Sequence, residues 1–177
     1  INANGAGDDG FLTVRGDNVI VADTLEARGT PITAGTITLT AGPSGVIDLG
    51  ADLNSTNAGI FLHGDVRLTD SVSLTNTGTF SNTNIVGDLY SEAGEYNTLS
   101  ISANNGRAFF GGSVGDSATS DQRLGFLDVD VNLTSYMDNV STLNGMTLMG
   151  YTEIMWPSVT FHTGLGTALF GGNIYSH

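Results

Sequence analysis

One internal repeat constrains this chain more than any other feature. Residues 101–116 read ISANNGRAFFGGSVGD, and residues 161–176 read FHTGLGTALFGGNIYS. The two align without a gap at an offset of 60 residues, sharing Gly106/Gly166, Ala108/Ala168, Phe110/Phe170, Gly111/Gly171 and Gly112/Gly172. Looser copies run from Leu39 (LTAGPSGVIDLGADL) and from Val14 (VRGDNVIVADTL). The common unit is a strand, a polar Gly/Asn turn, a second apolar strand, a small-residue corner and a third short strand. A unit of roughly 20–28 residues that lacks a helix cannot bury its apolar face alone, so neighbouring units must stack.

The strands are legible by their alternation. Leu12-Thr13-Val14, Ile37-Thr38-Leu39, Val72-Ser73-Leu74, Leu99-Ser100-Ile101, Met146-Thr147-Leu148 and Val159-Thr160-Phe161 are each apolar–polar–apolar. That is the period of a half-buried strand. Glu, Lys, Gln and Arg, which favour helix interiors, are scarce. The chain therefore reads as an all-β parallel β-helix of roughly eight coils, one domain over residues 1–177. Its expected apolar column is Leu12, Val14, Ile37, Leu39, Val46, Leu49, Leu53, Leu74, Ile101, Phe110, Val129, Leu148, Phe161 and Phe170. An antiparallel β-sandwich is the competitor, because Asn4-Gly5, Asp9-Gly10, Asn105-Gly106 and Asn144-Gly145 are hairpin signals. The ungapped repeat favours the solenoid.

Composition excludes several functions. Lysine is absent, and five arginines face 18 acidic residues for a formal charge of −13. Phosphate backbones and anionic membrane surfaces would repel such a chain. No apolar run approaches the roughly 18 residues of a membrane helix. With no cysteine, neither disulfides nor thiolate metal sites are available. The sequence starts at Ile1 without a methionine or a signal peptide, so an excerpt of a longer chain or a cleaved subunit is expected.

The phrases GTITLTAG (Gly35 to Gly42), GVIDLGADLNSTNAGI (Gly45 to Ile60), GDVRLTDSVSLTNTG (Gly64 to Gly78) and FFGGSVGDSATSDQRLGFLDVDV (Phe109 to Val131) carry a family resemblance. Together they resemble the repeat region of filamentous-haemagglutinin-like exoproteins, large secreted adhesins of Gram-negative bacteria. The resemblance implies a β-helical stalk at the cell surface that meets a glycan or protein receptor. The family's N-terminal secretion domain has no counterpart here. The stretch from Tyr136 to Trp156 is also richer in Met and aromatics than such repeats, with Met137, Met146, Met149, Met155 and Trp156. It marks either a contact surface or a core layer filled by adaptable side chains.

Candidate sites are few. Asp128 and Asp130 alternate with apolar residues and are expected to point outward on one strand, about 6.8 Å apart. That spacing suits paired acid–base carboxylates of a polysaccharide lyase or glycosidase, but a solvated outer face is the plainer reading. Asp8 with Asp9, Asp48 with Asp52, and Asp116 with Asp121 fall in turns and are candidate calcium ligands; solvated acids are the plainer reading. His63, His162 and His177 show no ligand spacing. Arg15-Gly16-Asp17 spells an integrin-type tripeptide at a strand–turn position where Gly-Asp is expected anyway. Asn54, Asn132 and Asn139 begin glycosylation sequons. Thr36, Thr38 and Thr40 make one short ladder of the kind ice binding requires.

These readings converge on a non-enzymatic extracellular structural protein, an adhesin stalk or fibre subunit, with a carbohydrate-active β-helix enzyme as the alternative. Its ends, Phe11, Leu12 and Val14 at one side and Phe170 and Ile174 at the other, are expected to join the next copy or the next stretch of the same chain, head to tail.

Overall fold

The computed structural model describes residues 2–4, 10–28, 35–78, 81–115 and 121–176. These residues form 19 strands and no helix. Turn one holds β1 (Asn2–Asn4), β2 (Gly10–Gly16) and β3 (Val19–Val21); turn two holds β4 (Leu25–Arg28), β5 (Gly35–Ala41) and β6 (Val46–Leu49). Turn three holds β7 (Leu53–Thr56), β8 (Gly59–His63) and β9 (Asp65–Leu68); turn four holds β10 (Val72–Thr77), β11 (Asn82–Ile85) and β12 (Leu89–Ser91). Turn five is one long strand, β13 (Leu99–Phe110), followed by a bridge at Val114. Turn six holds β14 (Leu127–Tyr136) and β15 (Val140–Thr142), and turn seven β16 (Gly145–Ile154) and β17 (Phe161–Thr163). Finally β18 (Thr167–Phe170) and β19 (Ile174–Ser176) begin an eighth turn.

Each turn lays strands on three faces, and strands of one face pair in parallel with the turns before and after. The protein is a parallel β-helix of about seven complete turns rather than eight. Among the described residues one antiparallel pair, Gly35 with Thr56, sits where two corners meet. The Asn-Gly signals at 105–106 and 144–145 make no hairpin. Asn105 and Gly106 lie inside β13, and Asn144 precedes β16 at a corner.

Alternation decides what the stack encloses. On the first face Leu25, Leu53, Leu74, Ile101, Val129 and Leu148 succeed one another in register and are all buried. On the second face Leu39, Leu62, Ile85, Phe110 and Tyr136 do the same. The third face contributes Val19, Ile47, Val66, Leu89, Val114 and Val140. Of the column expected from sequence, Leu12, Val14, Phe161 and Phe170 pack partly against the core and the others are buried, with one exception. Val46 is only half-buried, and Ile47 takes its inward place. Val46 and Leu49 are three residues apart, so a period of two cannot put both on one face.

The 60-residue repeat also needs correcting. Phe110 stands on the second face, stacked on Tyr136, whereas Phe170 stands on the first face, paired with Leu148. Successive turns differ in length: Asp130 pairs with Ser102, 28 residues earlier, and with Met149, 19 residues later. An offset of 60 therefore matches two strand–corner units but not two equivalent faces.

Corners are tied by side chains of the preceding turn. Val46 N–H donates to Asn18 Oδ1 (3.0 Å), Ser73 N–H to Asp52 Oδ1 (2.8 Å), and Asp88 N–H to Asp65 Oδ1 (3.0 Å). Ser113 N–H donates to Asp88 Oδ1 (2.8 Å), and Thr160 N–H to Asn139 Oδ1 (2.7 Å). Where the strand ladder breaks, these acceptors satisfy backbone donors that would otherwise go unpaired.

Candidate functional site

The predicted carboxylate pair lies where alternation put it. Asp128 and Asp130 both point outward from β14, with Ser100 and Ser102 beside them in turn five and Thr147 and Met149 in turn seven. The pair stands on the first face, and neither residue is among those that line the groove described below.

The turn acids have other partners. Asp48 forms a two-pronged ion pair with Arg67, at 2.8 and 2.9 Å. That contact pushes the guanidinium further above its already high value. Asp52 accepts the Ser73 N–H, and the Asp121 carbonyl accepts the Gly94 N–H at 2.9 Å. Asp8, Asp9 and Asp116 lie outside the described residues, as does His177. Among the described residues, no three His, Asp or Glu side chains gather as a metal site would require. His63 on β8 and His162 on β17 stand on different faces. In the Arg15-Gly16-Asp17 tripeptide, the Asp17 carbonyl accepts the Gly42 N–H at 3.2 Å. The next turn's corner packs so closely there that a Cβ on Gly45 would fall 1.5 Å from that carbonyl. Thr38 of the Thr ladder is followed on the next rung by Phe61, so no flat threonine array develops.

A groove lies elsewhere, and sequence reasoning did not find it. It runs over the corner between the first and second faces in turns five to eight, with a volume of about 740 Å³. Unequal corner lengths carve it. Between the paired positions Ala103–Val131 and Arg107–Leu133, turn five inserts residues 104–106 where turn six has only Asn132. Between Asp130–Met149 and Leu133–Tyr151, turn six inserts two residues where turn seven has only Gly150. The corner thus steps inward from turn to turn. Bulges of this kind bend a strand and re-aim its side chains. Two residues adopt left-handed backbone to make the steps, Asn105 (φ 57°) and Gly150 (φ 83°). At Gly150 a side chain would collide with Val131 O, 2.0 Å from an ideal Cβ.

The walls and floor of the groove differ in chemistry. Asn105 and Asn132 stand on the higher step, with Asn132 Nδ2 3.5 Å from Asn105 Oδ1. Arg107 is exposed at the turn-five end. On the lower steps Tyr151 and Tyr175 are 51% and 48% exposed, with ring centres 5.8 Å apart and planes inclined by 49°. Glu153, two residues after Tyr151 on β16 and paired with Tyr175, accepts a hydrogen bond from the Ser135 hydroxyl at 2.6 Å. Of the Met-rich stretch, only Met146 is fully buried, while Met149, Met155 and Trp156 are exposed beside the groove's turn. The signals in the sequence were the Asn-Asn-Gly at 104–106, Gly150 within a strand, and two tyrosines after it. Reading them requires knowing which rung follows which.

Alternating aromatic planes with amide and charged groups allow this surface to stack on a flat ligand and to hydrogen-bond its edges. No family model, curated protein or solved structure matches the chain.

Proposed function

We propose that this chain is a non-enzymatic structural segment of an extracellular rod, the stalk of an adhesin or a surface filament of the filamentous-haemagglutinin-like kind. One observation carries the reading: the apolar columns run through the stack without closure. Phe170 continues the first-face column above Leu148 yet is only half-buried, and Ile174, in the second-face row that runs back through Thr152, Thr134, Ala108, Thr83 and Ile60 to Ile37, is 51% exposed. The strands β18 and β19 pair on one side only, with β16. At the opposite end Leu12 and Val14 are half-buried in the same way, with Phe11 exposed beside them. Open strand edges over an apolar core invite another turn in register. More of the same chain or a second copy both supply it, and both give a continuous rod. The charge of −13 keeps neighbouring rods apart sideways.

Asp48, Asp52, Asp65 and Asp88 each tie one turn to the next, which supports a mechanical rather than a catalytic role for them. The groove is lined by one carboxylate, Glu153, while Asp128 and Asp130 stand on the first face outside that lining. Electron microscopy of the 177-residue chain over a range of concentrations, with sedimentation velocity, tests the reading. Rods that lengthen with concentration, and shorten in Ile174→Asp, are expected. A compact monomer at every concentration overturns assembly by copies. A glycan-cleaving activity lost in Asp128→Asn, Asp130→Asn overturns the non-enzymatic assignment.

A further inference from the structure

We infer that the groove over turns five to eight binds a neutral oligosaccharide lying along the rod axis. This goes beyond the rod reading and does not depend on it. Arg107 and Tyr175 belong to turns five and eight, so the groove spans three strand spacings, about 14 Å. Its volume of about 740 Å³ falls within the usual range for ligand sites.

Three observations select the ligand class. The Tyr151 and Tyr175 rings offer half-exposed, mutually tilted faces, on which the C–H faces of pyranose rings stack. Beside them stand the amides of Asn105 and Asn132 and the Glu153 carboxylate, planar groups that each reach two neighbouring hydroxyls. Glu153 is steadied for this by Ser135, at 2.6 Å. Next, a peptide strand cannot lie along this groove. β13, β14 and β16 pair with a neighbouring turn on each side over most of it, and the open edge of β19, at its turn-eight end, runs across the rod axis and not along it. Last, a polyanion is disfavoured: a chain of charge −13 places a single arginine here, and Glu153 opposes it. Arg107 thus acts as a donor to ring and hydroxyl oxygens at one end of the site.

Much of the site is built into the stack before any ligand arrives. Arg107, Leu133, Tyr151 and Glu153 sit on paired strands, and Asn105 and Gly150 hold the steps in left-handed backbone. Little ordering is left to oppose binding.

The test titrates the native chain calorimetrically with cello-, xylo-, manno-, galacto- and malto-oligosaccharides of tetra- to hexasaccharide length. At least one series should saturate. Its affinity should fall about tenfold or more in Tyr151→Ala and in Tyr175→Ala, the loss typical of a central aromatic anchor. Tyr151→Phe should retain binding, since the ring face and not the hydroxyl is used, and Thr38→Ala, on the same face in turn two, should be unchanged. Circular dichroism confirms that each variant keeps its strands. Absence of saturation with every series overturns the inference, as does binding that survives both alanine variants. Binding of polygalacturonate or heparin alone, lost in Arg107→Ala, overturns the neutral class. Rods seen by microscopy without any sugar binding leave the stalk reading intact while this one falls.

Discussion

Turns two to four and turns five to eight obey the same stacking rule with different side chains. In the earlier turns each face is a separate short strand, and the second-face column is aliphatic: Leu39, Leu62, Ile85. From turn five the strands lengthen to 10–12 residues and bend around the corner, joining the first two faces into one sheet. The column turns aromatic at Phe110 and Tyr136, which stack with ring centres 5.0 Å apart; Tyr136 also meets Phe161 of the third face edge-on at 5.2 Å, and Phe161 meets Phe170 of the first face likewise. Outward positions change too. The ladder that opens with Thr13 and Thr38 ends with Glu153 and Tyr175. The difference teaches that inward positions are held to one rule by the need for a continuous core. Corners and outward positions are free to vary, and here their variation makes a groove.

The largest expected effects come from the rule itself and should be equal in both regions. An ideal Cβ on Gly45 would lie 1.5 Å from Asp17 O, and one on Gly106 would lie 1.8 Å from Ser81 O. The neighbouring atoms are backbone, and turn spacing is fixed by the ladder. Gly45→Ala and Gly106→Ala should therefore each cost about 3 kcal/mol or more in urea unfolding. Ser44→Ala at the same exposed corner should cost under about 0.5 kcal/mol. A much smaller loss at Gly106 than at Gly45 would mean that the later turns stack more loosely, and the comparison would break there.

The two regions should part at their buried polar groups. Asn76 in turn four is buried, and its Nδ2 donates to Thr83 Oγ1 (2.7 Å) and to Asn82 O (3.3 Å). Its Oδ1 and the Ser81 hydroxyl of turn four are buried without a protein partner, and so in turn six are the hydroxyls of Thr134, Tyr136 and Thr142. Asn76→Ala should therefore destabilise by about 1–2 kcal/mol, whereas Tyr136→Phe should stabilise by about 1 kcal/mol. Alkaline unfolding sharpens the contrast. Burial holds the Tyr136 phenol well above its ordinary value. The unfolded phenol ionises first, near pH 10, so above that pH the folded state binds the extra proton. Stability is fully retained below about pH 10 and then falls by about 1.4 kcal/mol per pH unit. Tyr136→Phe should remove that part of the slope, as read from urea midpoints between neutral and alkaline pH.

Much of this was legible in the sequence, and for a physical reason. Inward alternation is a local property, so Ile37, Leu39, Leu74 and Val129 announce themselves within three residues. Phase is not local. Val46 and Ile47 are adjacent apolar residues of opposite parity, so the local pattern does not say which of them faces inward. The repeat at Phe110 and Phe170 revealed a solenoid while misplacing the face, since turn length varies and the strand–corner chemistry is alike at every corner. The groove was hidden for the same reason. It is a difference in corner length between turns five, six and seven, and no single turn contains it. Met149, Met155 and Trp156 signalled an unusual surface, while Tyr151 and Tyr175, 24 positions apart in the chain, become neighbours only after stacking.

The smallest expected effects concern the acids at the corners, which are alike throughout the molecule. Asp52 and Asp88 accept backbone N–H groups of the following turn, the task that Asn18 and Asn139 perform in turns one and six. An amide oxygen therefore suffices, and charge is not what the position needs. Asp52→Asn and Asp88→Asn should each stay within about 0.5 kcal/mol of the native chain. Asp88→Ala also deprives the Ser113 hydroxyl of its acceptor at 3.0 Å, and should cost about 1 kcal/mol. A calcium ligand would behave otherwise, because a hard cation loses affinity whenever a carboxylate becomes an amide. If calcium raises the Tm of the native chain well beyond what magnesium does, and Asp52→Asn or Asp88→Asn cancels the rise, these acids serve a cation and not the corner. Equal melting with either ion, and a loss confined to the alanine variant, would show the side chain working as an acceptor that ties one turn to the next.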